Sequence, residues 1–176
     1  MKLDVLPASE PWYSQGLKFT CTQCGNCCTG GPGFVWISPQ EIDRLAQFLK
    51  LSSAQVRRQY CRKVGGRWSL KEHRAPEGKY DCVFLEELPA PPGPRDKQLQ
   101  PGEPIPLRRR GCSIYPVRPL QCRTWPFWDT NLSSPQMWQQ ASRKCPGMGR
   151  GTRTFGKEQI ESLRDARDWP VDAPGS

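Results

Sequence analysis

Residues 21–28 read CTQCGNCC, four cysteines in eight positions. The stretch is too short to fold alone, so its thiols must find partners elsewhere in the chain. Cys21, Cys24 and Cys27 recur every third residue, which lets three sulfurs wrap one centre. That spacing suits zinc or an iron–sulfur cluster. Cys28 follows directly on Cys27. Neighbouring side chains in extended backbone point to opposite faces, so Cys28 is expected to aim at a second centre or at another face of the first.

Moving outward, the chain carries five more cysteines: Cys61, Cys82, Cys112, Cys122 and Cys145. The N-terminal MKLDVLPASEPWYSQGLKF has no continuous apolar run and no small-residue cleavage site, so it does not read as a secretory signal. A cytoplasmic protein is expected, and the cytosol keeps thiols reduced. Nine cysteines also leave one over in any all-disulfide scheme. Metal ligation is the better account. Cys61 lies in RRQYCRK, which reads as helical and offers no neighbouring ligand, so it is set aside as a non-ligand. Eight remain, enough for two four-sulfur sites. Cys82, in DCVFL, also fits a core strand.

Composition supports a fold that depends on something bound to sulfur. Leu, Ile, Val and Phe make up fewer than a fifth of the 176 residues, below the usual share for a folded domain. Seven Trp, six Phe and four Tyr compensate in part, because each buries a large area. Cross-linking through cysteine replaces core that is missing. The expected fold class is α+β: a small irregular metal-stapled domain with short helices and a minor sheet, one domain over 1–176. The formal charge is +9. Eight thiolates binding two dications would lower it to about +5, which weakens any nucleic-acid argument from charge alone. No stretch approaches the roughly 20 apolar residues of a membrane span.

Local patterns place the elements. Leu17 and Phe19 alternate with polar neighbours, as in a short strand. TGGPG at 29–33 reads as a turn and FVWI at 34–37 as a strand. Ser38-Pro39-Gln40-Glu41 has the capping-box order and opens a helix over 39–50, with Ile42, Leu45, Ala46 and Leu49 at helical spacing. Ser52 or Ser53 caps a second helix that turns Val56 and Tyr60 inward. RWSLKEH and YDCVFLEE, around 67–73 and 80–87, read as strands joined by the turn at 76–78. Residues 89–106 hold seven prolines and read as an exposed insertion, unable to form a helix or a central strand. Ser134-Pro135 opens a helix to about Arg143, Cys145-Pro146-Gly147 ends it, and a last amphipathic helix covers 157–168.

FxCTQCGNCC at 19–28, GCSIYPVRPLQCRTWPFW at 111–128 and CPG at 145–147 together resemble the YkgJ-type cysteine-cluster family, which is described as chelating zinc or iron. The likeness covers roughly residues 12–165 without the proline-rich insertion. It implies that Cys21, Cys24, Cys27, Cys28, Cys82, Cys112, Cys122 and Cys145 are the metal ligands. It also extends, over less of the chain, to the cysteine-rich part of flagellin lysine methylases. Cys-x-x-Cys-Gly-x-Cys resembles a ferredoxin loop as well, and Cys145-Pro146 its terminal Cys-Pro. Loop grammar therefore leans to an iron–sulfur cluster of the 4Fe–4S kind, while zinc remains open.

Arg118 and Arg123 flank Cys122 and are candidate anion contacts, since cations beside thiolates favour charged sulfur. Arg108, Arg109 and Arg110 read as a solvated basic run. Trp125, Phe127 and Trp128 are expected to pack round the centre and exclude water. His73 is the lone histidine and reads as a surface residue. No phosphate-cradling glycine motif is present. Three functions compete: a metalloprotein of unspecified role, a structural zinc module that recognises nucleic acid through its arginines, and a metal-dependent protein-modifying enzyme. The basic residues follow no helix stripe or named motif, and no catalytic acid or base stands out. The expectation is therefore metal binding, with metal ions as partners, no membrane, nucleic acid not favoured, and no reaction assigned.

Overall fold

The computed structural model describes residues 10–89 and 108–167. Apart from Pro89, the proline-rich insertion lies outside the described residues. In chain order the strands are β1 (Leu17–Lys18), β2 (Thr29–Gly30), β3 (Val35–Trp36), β4 (Cys61–Val64), β5 (Arg67–Leu70), β6 (Glu72–Arg74), β7 (Tyr80–Cys82), β8 (Leu85–Pro89), β9 (Arg108–Cys112) and β10 (Thr154–Phe155). The helices are α1 (Pro39–Leu49), α2 (Ser53–Tyr60), α3 (Leu120–Thr124), α4 (Asp129–Leu132), α5 (Pro135–Ser142) and α6 (Lys157–Asp165). The fold is α+β, and every sheet is small and antiparallel. Among the described residues no helix is long and apolar enough to cross a membrane. The chain divides into two units, one over 22–125 and the other built from residues up to 21 with 126–166.

The larger unit holds β2 to β9 and α1 to α3. α1 starts where the sequence predicts. Ser38 Oγ accepts from Glu41 N, and Glu41 Oε2 accepts from Ser38 N at 3.0 Å, which completes the capping box. α2 repeats the device with Ser52 and Gln55. Ile42, Leu45, Ala46 and Val56 from these helices meet Ile37, Cys61, Leu70, Cys82, Phe84 and Ile114 in one core. Cys28 and Cys112 pack against its edge.

Two local expectations change, and a third segment gains an element. Cys61 is the first residue of β4 rather than part of a helix. Gly65 and Gly66, at φ 51° and 84°, supply the left-handed pair of a tight hairpin turn, and this pulls 61–64 into register with β5. The predicted strand at 80–87 splits at Val83: β7 pairs with β6 and β2, whereas β8 pairs with β9. Arg108–Arg110 belong to β9, where Arg110 sits opposite Glu87 and Arg109 opposite Leu88.

In the smaller unit β1 pairs with β10, Leu17 opposite Phe155. Its core is aromatic. Phe127 touches Phe19, Trp138 and Phe155, with centroids 5.9, 5.8 and 4.7 Å away. Phe127 thus fills this core, so one member of the Trp125–Trp128 patch is committed to packing by stacked and edge contacts. Thr20 is gripped by two glycines: a Cβ on Gly147 would fall 2.1 Å from Thr20 O, and one on Gly151 would fall 2.2 Å from Thr20 N. No side chain fits either position.

Candidate metal centre

Five thiols of the larger unit feel one another: Cys27, Cys28, Cys82, Cys112 and Cys122. They come from four separate segments. Gly25 takes a left-handed φ of 77°, and a 3-10 turn over Asn26–Cys28 follows it. Cys28 N closes that turn on Gly25 O at 2.9 Å. A turn does not alternate its side chains as a strand does, so the divergence expected of Cys27 and Cys28 does not occur. Their Sγ atoms lie 3.9 Å apart. Gly25 is also held by space: a Cβ there would come 2.8 Å from Leu85 Cδ1 and 3.3 Å from Arg110 O.

The thiols differ in proton affinity. Hydrogen bonds to Cys112 and Cys27 push the Cys28 thiol far up, so it keeps its proton and donates. Accepting from Cys28 lowers Cys27 to about 7 and also lowers Cys112. Burial raises Cys82 to about 12 and holds Cys122 well above the ordinary thiol range. Arg118, stacked 3.7 Å over the Tyr115 ring, favours the ionised form of Cys27, Cys112 and Cys122. The cluster thus sets two thiols of lowered proton affinity, Cys27 and Cys112, among three of raised affinity, beside the Arg118 cation.

α3 carries Cys122 and is fixed from both sides. Glu41, only 5% exposed, accepts from Leu120 N at 2.7 Å and from the Arg123 guanidinium at 3.3 Å. Gln121 continues the edge of β3 like a further strand residue: its Oε1 accepts from Trp36 N at 2.7 Å, and its Nε2 donates to Phe34 O at 3.2 Å. Of the two candidate anion contacts, Arg118 faces the thiols and Arg123 reaches Glu41.

The other four cysteines are not among these five. Cys24 sits half-buried just before Gly25. Cys21 and Cys145 belong to the smaller unit, near a backbone bond from Thr20 N to Gly147 O at 3.2 Å. Cys61 is 3% exposed in the hydrophobic core, and burial raises its thiol to about 11. Among the described residues no group of three or more His, Cys, Asp or Glu side chains stands ready-made to hold a metal ion. Glu41, Gln121 and Asp81 carry no motif that marks them in the sequence; Glu41 is visible there only as a helix cap.

No family model matches this chain, and no solved structure matches it. The chain is similar to an uncharacterized protein of Methanocaldococcus jannaschii, 26% identical over 115 residues, covering 65% of this chain and 48% of that protein. It therefore spans about half the length of that relative.

Proposed function

We propose that this chain is a cysteine-cluster metalloprotein, with Cys27, Cys28, Cys82, Cys112 and Cys122 supplying the ligands of a thiolate centre that is buried at Cys82 and open at Cys27. One observation carries the reading: five thiols from four segments converge, and Cys28 shares its proton between two of them. A cation in place of that proton would relieve the repulsion among the ionised sulfurs, which is how metal binding displaces thiol protons. The 3.9 Å between Cys27 and Cys28 equals, within error, the sulfur–sulfur edge of a tetrahedron with Zn–S of about 2.3 Å, roughly 3.8 Å. A four-iron cluster spreads its thiolates over separate corners and brings no two so close. Zinc is favoured on this geometry, and iron–sulfur is the alternative that the loop grammar supports.

When bound, zinc would supply structural cross-linking, whereas a cluster would supply electron transfer. The chain's own part is to bring the sulfurs together and orient them, with Arg118 favouring the ionised form of Cys27, Cys112 and Cys122. All nine cysteines are free thiols, which suits a reducing compartment, so the proposed location is the cytoplasm. The test is metal and sulfide content after anaerobic expression with iron and zinc both supplied. Stoichiometric zinc in a colourless protein, or iron and sulfide in a brown one that bleaches on reduction, supports the reading. A folded protein carrying neither refutes it.

A further inference from the structure

Asp81 is 4% exposed on β7, opposite His73 of β6, and its two hydrogen-bonding neighbours, Thr29 and Arg110, each lie within two residues of a cysteine of the cluster. Asp81 itself precedes Cys82. Across the sheet it sits opposite Thr29, which follows Cys28. Asp81 Oδ1 and the Thr29 hydroxyl are both sealed from solvent. The Thr29 hydroxyl is the first of the groups that hold the Asp81 carboxyl below the usual carboxylate range, ahead of Arg110 and His73. The other carboxylate oxygen, Oδ2, is paired with the Arg110 guanidinium, and Arg110 stands two residues before Cys112 on β9. The Arg110 carbonyl in turn backs Gly25, where only 3.3 Å would separate it from a Cβ. One carboxylate thus joins the strands that deliver Cys28, Cys82 and Cys112, and touches through Arg110 the loop that delivers Cys27.

Stability alone does not account for such a group. A buried ion pair is often replaceable by apolar residues at no cost, and its best-attested use is to fix registry. We propose that Asp81 is a positioning residue for the thiol centre, setting the mutual register of Cys28, Cys82 and Cys112 through Thr29 and Arg110. This rests on the cluster being a metal site. Groups that orient ligands in this way typically carry 10–100-fold in metal affinity.

The experiment is a Co2+ titration of the full chain for wild type, Asp81→Asn and Arg110→Gln. The thiolate-to-cobalt charge-transfer intensity per bound ion counts the sulfurs engaged. Both variants should bind about 10–100-fold more weakly and engage fewer thiolates at saturation, a change that mere loss of stability would not produce. Arg110 is half exposed, so Arg110→Gln decides the matter if Asp81→Asn does not fold. The same proteins without metal are alkylated under native conditions and mapped. The expected result is faster labelling of Cys28, Cys82 and Cys112 relative to Cys145, which lies in the other unit. If wild type takes up no cobalt, the metal reading fails and the labelling alone judges Asp81. Wild-type spectra and a wild-type labelling pattern in both variants overturn the proposal.

Discussion

Replacing Glu41 with alanine removes a carboxylate that works at two ends. At α1 the substitution deletes half of the capping box, because Ser38 N loses its acceptor at 3.0 Å; capping interactions are worth about 0.5–2 kcal/mol. At α3 it strands Leu120 N, which loses a 2.7 Å bond to a charged acceptor, a loss of about 1.5–3 kcal/mol. The contacts from Arg44 and Arg123 add little, since both guanidiniums are substantially exposed and such pairs contribute at most about 1 kcal/mol. Together these give a loss of roughly 3 kcal/mol. With a urea slope of about 1–3 kcal/mol per molar, the unfolding midpoint should fall by about 1–3 M. Glu41→Gln keeps an acceptor for Leu120 N but places an amide toward Ser38, so it should lose about half as much. Arg44→Ala should stay within about 0.5 kcal/mol of wild type. Urea unfolding followed by circular dichroism measures all three. A Glu41→Ala midpoint equal to wild type, or a Glu41→Gln loss as large as that of alanine, refutes the view of Glu41 as a clamp between α1 and α3.

Gly25→Ala forces an L side chain to φ 77° and into Leu85; the left-handed strain alone is about 1–2 kcal/mol, and metal content should fall with thermal stability. Gly147→Ala should destabilise the smaller unit by at least about 2 kcal/mol, because its Cβ meets backbone rather than a movable side chain; proteolysis within 126–166 reads this out. Cys27→Ser and Cys122→Ser should each lose metal on elemental analysis, whereas Cys61→Ser should keep it while costing some stability in the core. In the metal-free protein, thiolate forms as pH rises through a thiol's pKa, so alkylation of Cys27 should climb through about pH 7 while Cys61 stays unreactive until about pH 11; equal pH profiles for the two would contradict the assigned environments.

Much of the helical framework is legible from local chemistry. Ser38-Pro39-Gln40-Glu41 specifies α1 because capping is decided within four residues, and the same holds for Ser52 and Gln55 at α2. Strand partners are less legible, since pairing is set by distant register. Nothing within YDCVFLEE says that it must break at Val83 and serve two sheets. The arginines at 108–110 read as a solvated run, and Arg110 is exposed, but nothing local says that they form a strand paired with β8. For the site, the spacing of Cys21, Cys24 and Cys27 points to one centre, yet of the three only Cys27 is among the five interacting thiols, and the mutual approach of Cys27 and Cys28 depends on a 3-10 turn that periodicity does not reveal. Asp81, Gln121 and the second role of Glu41 are invisible in the sequence because each acts on a residue that only the fold brings near.

The pairing of β1 with β10 sets a schedule. A ribosome makes Leu17 and Phe19 early, and Phe155, the register partner of Leu17, emerges well over a hundred residues later. At about 5–20 residues per second the delay is roughly 7–30 s. For most of it the apolar side chains of the first segment wait without Phe127 and Trp138, and for all of it without Phe155. Every segment that carries Cys27, Cys28, Cys82, Cys112 and Cys122 has by then left the ribosome. The thiol-bearing unit can therefore mature on the nascent chain before the unit that borrows both flanks of the sequence is able to close.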